Sequence, residues 1–207
     1  MQTVVINQTH KHAIIKAHSI LTAGGVIAIP TDTVYGIACM INNPSGIKRL
    51  YSIKERDLLK AIPVLIGSIA QAQMITQDFS DSAKILAHHL WPGALTLVVN
   101  KHQNLPAILS TYPTVGVRMP DHNWLRKLMD VSGPLAVTSA NISGKPSLAS
   151  ADQVLESLGG KIDLLIEGGT CKEGIPSTVV DCTMTPVNIL RSGNITKESI
   201  QYLIENN

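Results

Sequence analysis

Aromatic side chains are scarce in this chain: 3% of its residues, with one Phe and two Trp. A protein that holds single-stranded nucleic acid by stacking bases needs a platform of such rings, and few parts for one are present. An excess of charge of one sign is also lacking. The formal net charge is +2, so an anionic partner must be held by a local patch and not by the field of the whole molecule. Cysteine is limited to Cys39, Cys171 and Cys182, odd in number and widely spaced with no CxxC pair. That argues against a disulfide framework or a zinc ribbon and for reduced thiols. The seven histidines form no ligand spacing beyond His10/His12 and His88/His89, and no metal site is expected.

Long apolar runs are absent as well. The longest, Ile20 to Ile29, is interrupted by Gly24-Gly25 and falls far short of the ~20 residues of a membrane span. The N-terminus has no charged region leading into an apolar one. A cytoplasmic protein without membrane contact is the expectation. The familiar fingerprints are missing too. Gly144-Lys145 is followed by Pro146, so there is no phosphate-binding G-x-x-x-x-G-K-[ST], and no G-x-G-x-x-G, H-E-x-x-H or G-x-S-x-G occurs.

What is present is a chain of 207 residues, 44% hydrophobic, long enough to bury roughly 70% of its unfolded surface in one domain. One compact domain over residues 1–207 is expected. Val4 to Ile6 reads as an edge strand and His12 to Thr22 as an amphipathic helix ended by Gly24-Gly25. The continuous apolar run Val26 to Ile29 suggests a strand buried on both faces. A second run, Val34 to Ile41, follows the turn at Thr31 to Thr33. Helices are expected at 44–53, 70–75, 80–90 and 123–131, with Lys54 to Lys60 a polar loop. Strands are expected at 62–66, 95–99, 115–119, 135–137, 164–166, 178–180 and 187–190. Ser150 and Gln153 have capping-box spacing for a further helix, and the last one starts near Thr196. Irregular alternation, with several consecutive strands late in the chain, points to an α/β fold with an open twisted sheet of mixed parallel and antiparallel strands and flanking helices.

Four polar loops leave apolar runs: Pro30-Thr31-Asp32-Thr33-Val34-Tyr35-Gly36, Ser139-Ala140-Asn141-Ile142-Ser143-Gly144, Ser177-Thr178-Val179-Val180-Asp181 and Arg191-Ser192-Gly193. Strand ends of open α/β sheets are where ligands bind, and small residues and hydroxyls let backbone N–H groups approach an anion. Each loop could equally be an ordinary Asx or hydroxyl turn. Lys54, Arg56 and Lys60 could be a solvated cluster at a helix end, or a phosphate clamp with Arg56 as the fork. Arg118, inside an apolar strand, needs an anionic partner. Asp32, Asp121 or a ligand carboxylate would each serve. Arg191 poses the same choice. For Asp181 and Glu167 nothing in the spacing indicates a catalytic carboxylate pair.

Taken together, these residues resemble the YrdC-like family, the threonylcarbamoyl-AMP synthases. Seven pieces occur in the family's order between about residues 20 and 195. They are the Pro30 to Gly36 turn, Lys54-x-Arg56-x-x-x-Lys60, Trp91-Pro92-Gly93 with Thr96, Thr114-x-Gly116-x-Arg118-x-Pro120, the Ser139 to Gly144 loop, Pro176 to Asp181, and Leu190-Arg191-x-Gly193. The resemblance implies an open twisted sheet with a positively charged concave groove. It implies an enzyme that condenses L-threonine, bicarbonate and ATP to threonylcarbamoyl-AMP and pyrophosphate, with Mg2+. A downstream tRNA threonylcarbamoyltransferase would be the partner, and weak tRNA binding is left open. By likeness, Arg56, Lys60, Thr114, Ser139, Asn141, Ser147 and Arg191 are expected on the ATP side. Thr33, Leu65, Arg118, Val137 and Ser177 are expected on the threonine side, and Lys54 and Arg56 would stabilise charge. The chain departs from the pattern at Ala61-Ile62, at Leu65, where many relatives carry His, and at Ser192. It resembles the short form without an extra C-terminal domain. The rival readings are a non-catalytic RNA-binding or ribosome-maturation module and a paralogue making a different acyl-adenylate.

Overall fold

The computed structural model describes residues 2–76 and 78–207. Its strands are β1 Val4–Asn7, β2 Ile27–Ile29, β3 Gly36–Met40, β4 Val64–Leu65, β5 Leu95–Asn100, β6 Thr114–Arg118, β7 Leu135–Ser139, β8 Leu164–Glu167, β9 Thr178–Asp181 and β10 Asn188–Arg191. They form one sheet in the order β1-β8-β2-β3-β7-β4-β6-β5-β9-β10. Parallel pairs (β1 with β8, β8 with β2, β4 with β6, β5 with β9) are mixed with antiparallel ones (β2 with β3, β3 with β7, β7 with β4, β6 with β5, β9 with β10). The expected mixed, open sheet is what the chain adopts.

Strand alternation assigns the two faces. Ile27, Ile29, Ala38, Leu65 and Val137 lie in one apolar cluster. Their chain neighbours Ala28, Ile37, Cys39, Val64 and Ala136 lie in the other, as a period of two requires. The first cluster is closed by helices α1 (Ala13–Thr22) and α5 (Asn123–Ser132), which contribute Ala17, Leu21, Leu125, Leu128 and Met129. The second takes α2 (Pro44–Lys54), α4 (Asp81–Leu90), α6 (Ala151–Leu158) and α7 (Lys197–Glu205). A four-residue helix, α3 (Ile69–Ala72), lies between β4 and α4.

Local signals explain most boundaries. Asn43 caps α2 through Gly46 N–H with Pro44 in the first turn, and Ser80 caps α4 through Ala83 N–H. Ser150 and Gln153 form the expected capping box. Three expectations need correction. The 62–66 run forms a strand only at Val64–Leu65, and the 70–75 helix shrinks to Ile69–Ala72. Lys54 ends α2 instead of opening a loop, because Glu55 takes the left-handed C-terminal conformation at φ 52°. No helix among the described residues is long and apolar enough to cross a membrane.

Candidate active site

The α1 and α5 layer does not cover the whole of its sheet face. On β6, β5 and β9 the residues on that side are Gly116, Thr96, Val98 and Val179, and together with Leu65 and Val137 they floor an open cavity of about 280 Å³. Sheet register brings the polar loops to its rim. Gly36 pairs with Ser139, so the turn before β3 and the loop after β7 meet at one end. Backbone bonds from Ala140 N to Tyr35 O (2.8 Å) and from Tyr35 N to Leu148 O (2.9 Å) tie them together. Leu65 pairs with Arg118, and Leu95 with Thr178, which places the β4, β6 and β9 contributions alongside.

The turn itself is held by Thr31. Its Oγ1 accepts from the backbone N–H of Thr33 and Val34 and donates to Val34 O at 2.7 Å. Thr31 is therefore a turn-forming hydroxyl, which frees Thr33 to accept from Arg118 Nη1 at 2.9 Å. Arg118 is buried, and its charge is matched by Asp32, 2.5 Å from Nη2, with both side chains 6% exposed. Of the candidate partners, Asp32 and not Asp121 makes the ion pair. Nε donates to Gly93 O at 3.0 Å. The fork still has N–H groups on Nη1 and Nη2 without partners among the described residues, and Arg118 lines the cavity.

Two further arginines complete the rim. Arg56 donates from Nε to Lys60 O (2.9 Å) and from Nη2 to Ala61 O (3.0 Å), bracing the loop after α2. Arg191 donates to the carbonyl (3.0 Å) and hydroxyl (3.2 Å) of Ser177, whose Oγ also bonds Thr96 Oγ1 at 2.8 Å. Loss of hydration, followed by the Arg118 and Arg56 charges, lowers the Arg191 pKa, and burial lowers that of Arg56. No Asp or Glu is among the lining residues. Like charges crowded without a facing carboxylate are relieved by an anion, so the arrangement suits a phosphate or carboxylate.

Lys54 sits elsewhere. It is 1% exposed and does not line the cavity. Its ammonium donates to the carbonyls of Ser139 and Asn141, both at 2.5 Å, and to Asn141 Oδ1 at 3.2 Å. Burial, then the Arg56 charge, lowers it to about 8. The expectation that Lys54 faces substrate as a point charge is corrected: its donors are engaged beneath the Ser139 loop, and it positions that loop. Asn141 is likewise turned inward, donating to Ile142 O and Lys145 O.

Of the expected ATP-side residues, the cavity therefore gathers Arg56, Ser139 and Arg191, while Lys60, Thr114, Asn141 and Ser147 lie outside its lining. All five on the threonine side, Thr33, Leu65, Arg118, Val137 and Ser177, line it. The possible carboxylate pair does not form: Asp181 accepts from Thr183 and Glu167 from Asn7. Sequence reading gave no role to the floor residues Val98 and Val179, or to Thr138 and Pro63, which also line the cavity. The only signal for the floor was strand alternation opposite core positions.

The family model for Sua5, YciO and YrdC proteins, described as telomere recombination, matches residues 19–193. The chain belongs to this family. The threonylcarbamoyl-AMP synthase of Pyrococcus abyssi is 37% identical over 98% of this chain and 61% of its own length. That of Bacillus subtilis is 37% identical over 95% of this chain and 58% of its own. The crystal structure of Pyrococcus abyssi Sua5 complexed with L-threonine superposes with a TM-score of 0.93 at 35% identity, covering 99% of this chain and 61% of that one. This member of the Sua5, YciO and YrdC family thus spans less than two thirds of the length of these relatives.

Proposed function

We propose that this cavity makes threonylcarbamoyl-AMP from L-threonine, bicarbonate and ATP, releasing pyrophosphate, and so serves threonylcarbamoyladenosine formation in tRNA. The observation that carries the reading is one cavity whose lining has three arginines, no carboxylate, and Leu65, Val137 and Thr33. The relatives named as synthases and the threonine-bound relative support it.

In this reading Arg118 receives the threonine carboxylate on its unused N–H groups, held in place by Asp32, Thr33 and Gly93. Leu65 and Val137 meet the aliphatic part of the side chain. Arg56 and Arg191 face the triphosphate, with Ser139 beside them. Bicarbonate gives up hydroxide to leave CO2, and the threonine amine takes up that CO2 and loses a proton, which forms water with the hydroxide, to give a carbamate. A carbamate oxygen then attacks the α-phosphorus as the bond to pyrophosphate breaks. No side-chain nucleophile is required. Catalysis rests on alignment and on guanidinium groups fixed where negative charge shifts toward the leaving group.

Mg2+ does not fit as a protein-held ion. The lining has no carboxylate, and the described residues hold no cluster of three or more His, Cys, Asp or Glu suited to a metal. The ion would arrive on the triphosphate as part of the substrate. The downstream tRNA threonylcarbamoyltransferase belongs to the same proposal, as the group that consumes a reactive mixed anhydride. The test is pyrophosphate release from ATP with threonine and bicarbonate omitted in turn. Release that needs both is the expected result. Release without threonine would point to a different acyl-adenylate.

A further inference from the structure

Strand β5 lies between β6 and β9 in the sheet. Leu97 pairs with Val117, and Thr96 with Val179. Thr96 therefore stands at the end of β5 that adjoins Arg118 on one side and the approach of Ser177 to β9 on the other. Thr96 and Ser177 both line the cavity, and their hydroxyl oxygens are 2.8 Å apart. The Thr96 methyl is turned to Gly116, where an added Cβ would stand 3.0 Å from it. Oγ1 is left on the Ser177 side.

The pair carries two hydroxyl protons, and one of them lies between the oxygens. Arg191 decides which. Its Nη2 donates to Ser177 Oγ at 3.2 Å and its Nε to Ser177 O at 3.0 Å. An oxygen that accepts from a guanidinium becomes a stronger donor in turn. Ser177 thus donates to Thr96 Oγ1, and the chain runs one way, from Arg191 through Ser177 to Thr96. The Thr96 proton ends it, with no acceptor among the described residues. A donor left unpaired in so enclosed a place is costly, and a ligand oxygen would satisfy it. Arg56, Arg118 and Arg191 surround the same cavity, so the group that fits there is anionic and accepts without donating.

We propose that Thr96 is a catalytic residue of this cavity, its O–H donating to a carboxyl oxygen of bicarbonate and then of the carbamate built on the threonine nitrogen. The inference rests on the synthase reading. There Arg118 holds the threonine carboxylate and Arg191 faces the triphosphate. The carbamate carboxyl is the group that joins these two parts in the product, and Thr96 stands between the two arginines. One neutral O–H steadies one carboxyl oxygen and leaves the other to attack phosphorus. A bidentate guanidinium would engage both oxygens and blunt the nucleophile. Thr96 neither gives up nor takes a proton in the step.

The experiment is steady-state pyrophosphate release at varied bicarbonate, in buffer freed of CO2. It compares the parent with Thr96→Val, Thr96→Ser, Ser177→Ala and the double variant Thr96→Val with Ser177→Ala. Thr96→Val keeps the shape and loses the donor, so kcat/KM for bicarbonate should fall about tenfold while KM for ATP stays within about twofold. Thr96→Ser restores the donor and should lie within about threefold of the parent. A packing role would give the reverse order, since valine keeps the methyl and serine does not. Because Ser177 acts through Thr96, the double variant should lose less than the product of the two single losses. A parental kcat/KM in Thr96→Val, a Thr96→Ser variant as impaired as Thr96→Val, or losses that multiply would each overturn the proposal. Pyrophosphate release by the parent without threonine or without bicarbonate would remove the synthase reading itself, whereas a fully active Thr96→Val removes only the role of Thr96.

Discussion

Lys54→Met offers a sharp test of how the Ser139 loop is held. The ammonium is fully buried, its pKa is lowered from the usual 10.5 to about 8, and it donates to two backbone carbonyls and one amide oxygen. Removing it leaves the carbonyls of Ser139 and Asn141 without their donor, at roughly 1–3 kcal/mol each. It also removes the cost of burying the charge, which the lowered pKa puts at about 3 kcal/mol. At pH 7 the two effects offset, and the variant should lie within about 3 kcal/mol of the parent. The pH dependence separates them. Between about 8 and 10.5 the unfolded chain still binds the Lys54 proton while the folded chain has released it, so folding stability from this group rises with pH. The stability of the parent minus that of Lys54→Met should therefore grow by about 3 kcal/mol across that window. Tyr35, Tyr51, Cys39 and Cys182, all raised by burial, titrate in both proteins and cancel in the difference. Urea unfolding followed by the fluorescence of Trp91 and Trp124 from pH 7.5 to 10.5 measures it. A difference that stays flat with pH would refute the argument.

Arg56→Ala should lower pyrophosphate release by about a hundredfold or more, as loss of a preorganised charge contact does. Arg56 hydrogen-bonds only the carbonyls of its own loop, so Tm should move by no more than a few degrees; near-parental turnover would remove Arg56 from the mechanism. In Gly193→Ala the added Cβ would stand 2.5–2.7 Å from the backbone of Thr178, Pro176 and Ser177. The Arg191 loop must then shift, and KM for ATP should rise more than kcat falls, measured by steady-state kinetics. Glu55→Gly relieves a left-handed non-glycine residue at the end of α2. It should add about 1 kcal/mol of stability, and a loss in denaturant titrations would contradict the capping role.

The alternation of apolar residues along β2 and β3, the capping box at Ser150 and the Gly24-Gly25 end of α1 could be read locally, because period and cap chemistry act over a few residues. The short extents of β4 and α3 could not. In the 62–66 run, strand pairing with β6 and β7 involves only Val64 and Leu65, a tertiary choice that propensity does not encode. Lys54 was misplaced for the same reason. A lysine beside Arg56 in sequence looks like part of one clamp, yet the helix end directs one side chain inward and the other to the rim.

From the sequence alone came the sheet class, the family likeness and the set of polar loops, since these depend on composition, local pattern and motif order. Only the tertiary structure decided which loop residues face one another. The antiparallel pairing of Gly36 with Ser139 and the parallel pairing of Leu65 with Arg118 bring together side chains far apart in the chain. Asp32 became the partner of Arg118, and the uncovered stretch of β6, β5 and β9 became the floor of the site, because sheet order and helix coverage are settled by packing across the whole chain.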